Sequence, residues 1–170
     1  MRLFYYLFIT FILISCSNNV ELIFDQDNGG LFLPKGFQSL VVHEGVGQSR
    51  HIAVNENGDI YAKLRLDYGR KGNVALRDKN GDGKADIIQR FGDYPNDGRF
   101  ATEMKINEGY LYYSSERVVY RQKLNPKKLV PDSPVEVILT DPFPIRWHNA
   151  KSIAFDKENN MYVTFSGFTN

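Results

Sequence analysis

The sequence has little of what would mark a disulfide-rich, cysteine-metal or nucleic-acid-binding protein. It contains one cysteine, Cys16, in 170 residues, so intrachain disulfides and zinc or haem sites built on cysteines are excluded for this stretch. The formal net charge is +1, which argues against nucleic acid as a partner. Helical periodicity is nearly absent after residue 16, whereas 10 Tyr and 12 Phe suit broad β-sheet cores. The chain is therefore predicted to be all-β.

One phrase occurs three times at a spacing of about fifty residues, a period typical of β-propellers. The copies occupy residues 50–61, 103–112 and 151–162. In each, a short apolar strand leads into a turn rich in Asn, Asp, Glu or Gly, and a second strand containing Tyr follows. Ile52 and Tyr61 recur as Ile153 and Tyr162 without a gap, whereas the middle copy lacks one residue in its turn.

The repeat predicts a β-propeller of four-stranded blades. A propeller closes with roughly four to eight blades, whereas residues 35–170 hold only about two and a half periods. We therefore expect residues 33–170 to be the N-terminal part of a longer propeller, with two and a half to three blades present. The alternatives are a small β-domain of one piece and a chance similarity of amphipathic hairpins.

The first residues are typical of an export signal. Met1-Arg2 precedes the apolar run Leu3–Ile14, which has the length of a signal peptide and is too short to span a membrane. The segment Leu13-Ile14-Ser15-Cys16 resembles a bacterial lipobox, which implies removal of residues 1–15 and a lipid on Cys16. We expect a lipid-anchored protein of the cell envelope, facing the periplasm or the exterior, with residues 16–32 as a flexible tether. A plain secreted protein is the alternative.

Candidate binding residues precede the predicted inner strands Ile52-Ala53-Val54 and Ile153-Ala154-Phe155. In a propeller the first strand of each blade lines the central channel, so residues leading into it surround the channel mouth. The positions are Gln48, Ser49, Arg50 and His51; Arg99 and Thr102; and Arg146, Trp147, His148, Asn149 and Lys151. An anionic ligand on the axis would meet the four cations, although each could equally be a solvated surface charge. His51 could equally be a histidine whose hydrogen bonds are satisfied at the end of its strand.

His148 lies in residues 142–151, a loop that contains two prolines and ends at a predicted inner strand. Imidazole is the usual proton acceptor near neutral pH, and Trp147 beside it offers a flat apolar face for a ring. Spacing alone leaves both a catalytic and an ordinary structural role open.

A second group of candidates lies in residues 78–86. Asp78, Asn80, Asp82 and Asp86 place oxygen-bearing side chains as in the opening of a calcium loop, and Gly83 follows Asp82. The final Glu of an EF-hand is replaced by Gln89, and the flanking residues 73–77 and 85–91 are predicted strands. A calcium site and a hairpin tip rich in turn residues are both compatible with this pattern.

Taken in order, the motifs resemble those of the glucose/sorbosone dehydrogenases. The shared pieces are Leu33-Pro34-Lys35-Gly36-Phe37, the hairpin 49–61, the strand 74–78 with residues 82–86, the strand 109–113, and His148-Asn149-Ala150-Lys151-Ser152-Ile153-Ala154-Phe155-Asp156. The resemblance covers roughly residues 33–168. It implies a six-bladed propeller that uses pyrroloquinoline quinone (PQQ) and Ca²⁺.

The resemblance also implies roles for individual residues. His148 would be the general base, and Arg50, Arg99, Arg146 and Lys151 would contact the carboxylates of PQQ. In well-known members of the family a glutamine contacts the cofactor, and the corresponding position in this chain is near Asp59. The chain departs from the family pattern there. The substrate would be a sugar or sorbosone-type aldehyde and the electron acceptor a cytochrome or quinone, whereas the fragment itself would be inactive.

Two other function classes remain open. A non-catalytic propeller could use the same rim to hold a glycan or a protein. A hydrolase of the lactonase type would need a ring of Glu, Asp or Asn metal ligands on the axis, for which only Asn149 is suitably placed.

Overall fold

The computed structural model describes residues 22–65, 71–92, 103–141 and 151–165. These residues form strands, turns and one short 3-10 helix, Asn28–Gly30. The strands are β1 (Ser49–Val54), β2 (Ile60–Leu64), β3 (Asn73–Arg77), β4 (Ile87–Phe91), β5 (Met104–Asn107), β6 (Tyr110–Ser114), β7 (Val118–Lys123), β8 (Glu136–Thr140), β9 (Ile153–Phe155) and β10 (Met161–Val163). The prediction of an all-β chain is confirmed. No helix within the described ranges is long and apolar enough to cross a membrane.

The strands form two antiparallel four-stranded sheets and one hairpin. The first sheet has the order β1-β2-β3-β4, the second has the order β5-β6-β7-β8, and β9 pairs with β10. The first strands lie side by side, because β1 contacts β5 and β5 contacts β9. This is the arrangement of successive propeller blades, and the predicted inner strands are the first strands of their sheets.

The turn of the middle repeat is three residues shorter than the other two, and one more residue on each side of it belongs to a strand, so the repeat is one residue shorter overall. Five-residue turns join β1 to β2 and β9 to β10, and each closes with a backbone hydrogen bond, Asn55 N to Asp59 O and Asp156 N to Asn160 O. The β5–β6 turn is the two-residue Glu108-Gly109, and both residues have positive φ (47° and 72°). That geometry matches the twist of a tight hairpin.

Apolar side chains pack between consecutive sheets. Tyr61, Ala75 and Phe91 of the first sheet share one buried cluster with Met104 and Tyr113 of the second. Between the second sheet and the hairpin, the Tyr112 and Phe155 rings lie 4.8 Å apart at their centroids, and Ile153 is buried beside them. The Tyr61 hydroxyl donates to the Leu129 carbonyl across the first interface, at 3.0 Å. Its burial raises the pKa of Tyr61 to about 12.

The segment before β1 covers the outer part of the first sheet. A second cluster, built on Ala62, Leu64, Val74 and Leu76, packs against Val46 of this segment. Residues 25–30 lie within the predicted tether, and the described structure joins them to residues 39–41. The Asp25 carboxylate accepts from the Val41 N–H at 2.6 Å, and the Ser39 hydroxyl donates to the Asn28 carbonyl at 2.7 Å.

A two-bond ion pair joins the β1–β2 turn to the end of β3. The Nε and Nη2 atoms of Arg77 each lie 2.6 Å from an Asp59 carboxylate oxygen. The Asp59 side chain is 2% exposed and that of Arg77 is 26% exposed. The bonds to Asp59 raise the pKa of Arg77. Charge-assisted pairs of this geometry are among the stronger side-chain interactions.

We expect Arg77→Met to lower the free energy of unfolding by about 2 kcal/mol, because the buried Asp59 carboxylate loses its cationic partner. Urea unfolding followed by tyrosine fluorescence measures this change. Lys128→Met is the matched control, because its pair with Asp132 is exposed at both ends (56% and 47%). Equal midpoints for the two variants would contradict the role assigned to Arg77.

Candidate functional site

The two ends of the stacked sheets carry different residues. We call the end at which β1, β5 and β9 begin the start end, and the opposite end, with the β1–β2, β5–β6 and β9–β10 turns, the turn end. At the start end Glu103 reaches Ile153, and at the turn end the Asn107 and Asn159 side chains are 3.4 Å apart. Neighbouring inner strands therefore run in the same direction, and the predicted channel-mouth residues that the structure describes, which are residues 48–51 and Lys151, belong to the start end.

Arg50 is exposed at the start end and sits in a β-bulge. Ser49 pairs with Leu64 and His51 pairs with Lys63, so Arg50 is an extra residue of β1. A bulge of this kind bends a strand and re-aims its side chains. The guanidinium is therefore accessible to a ligand, and its contact with a cofactor stays a prediction.

Lys151 has a different environment. The residue is 2% exposed, its ammonium lies 3.6 Å from an Asp141 carboxylate oxygen, and it donates to the Glu116 carbonyl. These partners neutralise the charge within the protein. A role for Lys151 toward an anionic cofactor stays a prediction.

Glu103 joins three inner strands and was not predicted as a site residue. Its carboxylate is 4% exposed. One oxygen, Oε1, accepts from the Met104 N–H at 2.9 Å and lies 3.2 Å from Nδ1 of His51 on β1. The other, Oε2, accepts from the Ile153 N–H at 3.1 Å. The signal available in the sequence was its position, because Glu103 precedes an inner strand as His51 does in the first copy.

Hydroxyl side chains accept hydrogen bonds from backbone N–H groups just before the second and third inner strands. The Glu103 N–H donates to the Ser114 hydroxyl at 3.2 Å, and the Ser152 N–H donates to the Thr164 hydroxyl at 3.2 Å. In the first sheet the corresponding partner of His51 is Lys63, whose buried ammonium donates to the Gly72 carbonyl and the Asn73 side chain, both at 3.0 Å. The first blade thus differs chemically from the other two at this position.

The predicted calcium loop is the β3–β4 connection and lies at the turn end, away from Arg50. Asp78 accepts from the N–H groups of Asn80, Gly81 and Gly83 at 3.1, 2.7 and 2.7 Å. Burial acts to raise the pKa of Asp78, but these hydrogen bonds outweigh it and lower the pKa.

The other predicted calcium ligands are also engaged within the loop. The Asn80 side chain donates to Asp82 at 3.0 Å, and Asp86 accepts from the Lys79 N–H at 2.7 Å. Across the parts of the chain that the structure describes, no group of three or more His, Cys, Asp or Glu side chains could hold a metal. Calcium in this loop stays a prediction.

Seven further predicted residues lie outside the described ranges: Cys16, Arg99, Thr102, Arg146, Trp147, His148 and Asn149. The base, two of the four cations and the lipidation site therefore remain sequence predictions.

Comparison with known proteins supports the fold. No family model matches the chain, and no curated protein matches it. Among solved structures, the chain is similar to the holo form of the PQQ domain of pyranose dehydrogenase from Coprinopsis cinerea, with a TM-score of 0.53 and 12% identity. The match covers 69% of this chain and 27% of that chain, so the chain spans about a quarter of the length of its structural neighbour. At this identity the similarity shows the propeller fold alone.

We expect Glu103→Gln to lower the free energy of unfolding by about 2 kcal/mol. A carboxamide has one acceptor oxygen, so it cannot accept at both ends as the carboxylate does for Met104 N–H and Ile153 N–H. Urea denaturation measures the change. The control is Glu158→Gln, an isosteric change at an exposed position of the β9–β10 turn. An unchanged midpoint for Glu103→Gln would show that the interstrand contacts do not stabilise the fold.

Proposed function

We propose that the whole protein is an exported oxidoreductase that uses PQQ to oxidise a sugar or a sorbosone-type aldehyde. The observation that carries the proposal is the similarity of the fold to a PQQ domain, which agrees with the ordered motifs of residues 33–168. The propeller supplies a channel mouth at which side chains from successive blades converge.

The cations predicted to bind the carboxylates of PQQ differ in how well their surroundings fit this role. Arg50 is exposed and forms no ion pair with the described residues, so its guanidinium can form two parallel hydrogen bonds to a carboxylate. Arg99 and Arg146 are the next candidates. Lys151 is the weakest of the four, because Asp141 and the Glu116 carbonyl already surround its ammonium.

The proposed chemistry divides between cofactor and protein. PQQ, when bound, supplies the hydride acceptor. His148 would remove the proton of the substrate hydroxyl, and a hydride would leave the carbon that bears this hydroxyl. The alcohol or aldehyde hydrate would thereby lose two electrons and two hydrogens. The cations of the start end orient the cofactor, and Trp147 offers an apolar face to a ring. Ca²⁺ is proposed as the second cofactor, with residues 78–86 as its candidate loop.

Export and membrane attachment complete the proposal. A lipid on Cys16 would hold the protein in the cell envelope, where it would pass electrons to a cytochrome or a quinone. This location would give the enzyme access to sugars outside the cell.

We expect the whole protein, reconstituted with PQQ and Ca²⁺, to reduce a redox dye when glucose or sorbosone is added. His148→Ala is expected to lower kcat by about 10²-fold or more, because it removes the proton acceptor. The matched control is His43→Ala, whose ring lies in the segment before β1, away from the inner strands. Omission of Ca²⁺ tests the second cofactor in the same assay.

A folded protein that binds no PQQ, as judged by the absorbance of the quinone after gel filtration, would contradict the enzymatic proposal. The propeller that holds a glycan or a protein would then be the favoured function. If His148→Ala and the unaltered protein are equally active, the proposed dehydrogenase activity stands, but His148 is not the general base.

We expect Cys16→Ser to abolish incorporation of radiolabelled palmitate and to release the protein from the membrane fraction, because the thioether-linked lipid cannot form. Cells producing either protein are labelled and fractionated. Unlabelled protein with Cys16 intact would instead indicate a secreted, lipid-free form.

A further inference from the structure

His51 carries a ring nitrogen whose role the proposed reaction does not use. Its side chain is 40% exposed, and Nδ1 lies 3.2 Å from Oε1 of Glu103. An ionised carboxylate can only accept hydrogen bonds, and Oε1 already accepts from the Met104 N–H. The contact therefore requires a proton on Nδ1, and the neutral ring then has no proton on Nε2.

Nε2 of His51 is available to a ligand. Within the described ranges, the contact of Nδ1 with Glu103 is the one polar contact of the ring, and no hydrogen bond or ion pair involves Nε2. Arg50, the exposed residue that precedes His51 in β1, forms the bulge at the same end of the strand. A ring nitrogen that can accept a hydrogen bond suits a ligand that carries a hydroxyl group.

The acid that orients the ring is held rigidly. Glu103 is 4% exposed and its two oxygens are fixed by backbone N–H groups at the starts of β5 and β9. Lys63, the residue opposite His51 on β2, directs its ammonium to the Gly72 carbonyl and to Asn73. His51 is thus the described group that uses the remaining acceptor capacity of Oε1. A rigidly held carboxylate can fix both the orientation and the tautomer of an imidazole whose other nitrogen binds a ligand.

We propose that Glu103 is a positioning residue that holds His51 as the Nδ1–H tautomer, so that Nε2 accepts a hydrogen bond from a hydroxyl of a ligand at the start end. The identification of that ligand as a sugar rests on the proposed function. The simpler explanation is that the pair only links the first and second sheets. The two explanations differ in whether Nε2 is bare and whether a ligand reaches it.

The first test determines the tautomer in the unaltered protein. In the whole protein with ¹⁵N-labelled histidine, long-range ¹H–¹⁵N spectra at a pH where the ring is neutral are expected to show the proton of His51 on Nδ1 and none on Nε2. The His51→Gln variant assigns the resonance. A proton on Nε2 would overturn the proposal, since that nitrogen could not accept.

The second test adds glucose to the same labelled protein without cofactor. The Nε2 resonance is expected to shift on titration, with little change at Nδ1, and the shift is expected to disappear when glucose is replaced by its hydroxyl-free analogue tetrahydropyran. An Nε2 signal that does not respond to glucose would overturn the ligand contact even if the tautomer is as expected.

Kinetics then separate binding from packing. His51→Asn keeps an amide N–H near the Nδ1 position and removes the Nε2 acceptor, so it is expected to preserve the unfolding midpoint and to raise KM for the sugar about tenfold with kcat nearly unchanged. An unchanged KM would overturn the proposal. Absence of any sugar oxidation by the unaltered protein, with the Nε2 shift present, would overturn the proposed function and leave this inference standing.

Discussion

The structure depends on a single constraint, which is that inner strands from different sheets meet side by side without pairing. Strand β5 contacts β1 on one side and β9 on the other, yet each of the three pairs only within its own sheet. Backbone N–H groups at their starts consequently lack ladder partners and need another acceptor. Glu103 supplies it, because its carboxylate accepts from Met104 and Ile153 and also reaches His51. A carboxylate has enough acceptor sites for all three contacts, which is why an acid fits there.

The two ends of the sheets differ in how their polar groups are satisfied. At the turn end three Asp carboxylates bind groups of their own turn or of a neighbouring strand: Asp59 pairs with Arg77, Asp78 accepts three N–H groups, and Asp156 accepts from Glu158, Asn160 and Tyr162. These bonds lower the pKa of Asp156, chiefly through the Asn160 side chain. At the start end Arg50 and one nitrogen of His51 remain available. Among the described residues, the start end therefore offers a cation and a ring nitrogen to a ligand.

The sequence was sufficient to predict the parts of the fold that repeat locally. The inner strands, the shortened middle turn and the strand at residues 73–77 follow from alternation and turn residues that lie close together in the chain. Glu103 could not be predicted in the same way, because its partners His51 and Ile153 are 52 and 50 residues away. The burial of Lys151 likewise depends on Asp141 and Glu116, which belong to the preceding sheet. Position before an inner strand therefore locates a residue at the start end without deciding what its side chain faces.

The same sequence position carries a different residue in each blade, and this difference bears on function. His51, Glu103 and Ser152 all immediately precede the first apolar residue of their inner strands. A purely structural role would be met by any group that satisfies the neighbouring backbone, as Ser114 and Thr164 do for the second and third strands. The Nδ1 contact with Glu103 links the first sheet to the second, and it uses only one of the two ring nitrogens. What His51 contributes beyond an ordinary donor is the second ring nitrogen, and that nitrogen lies at the end of the sheets where Arg50 is exposed. A ligand at the start end would give this second nitrogen a partner, which the link between the sheets does not.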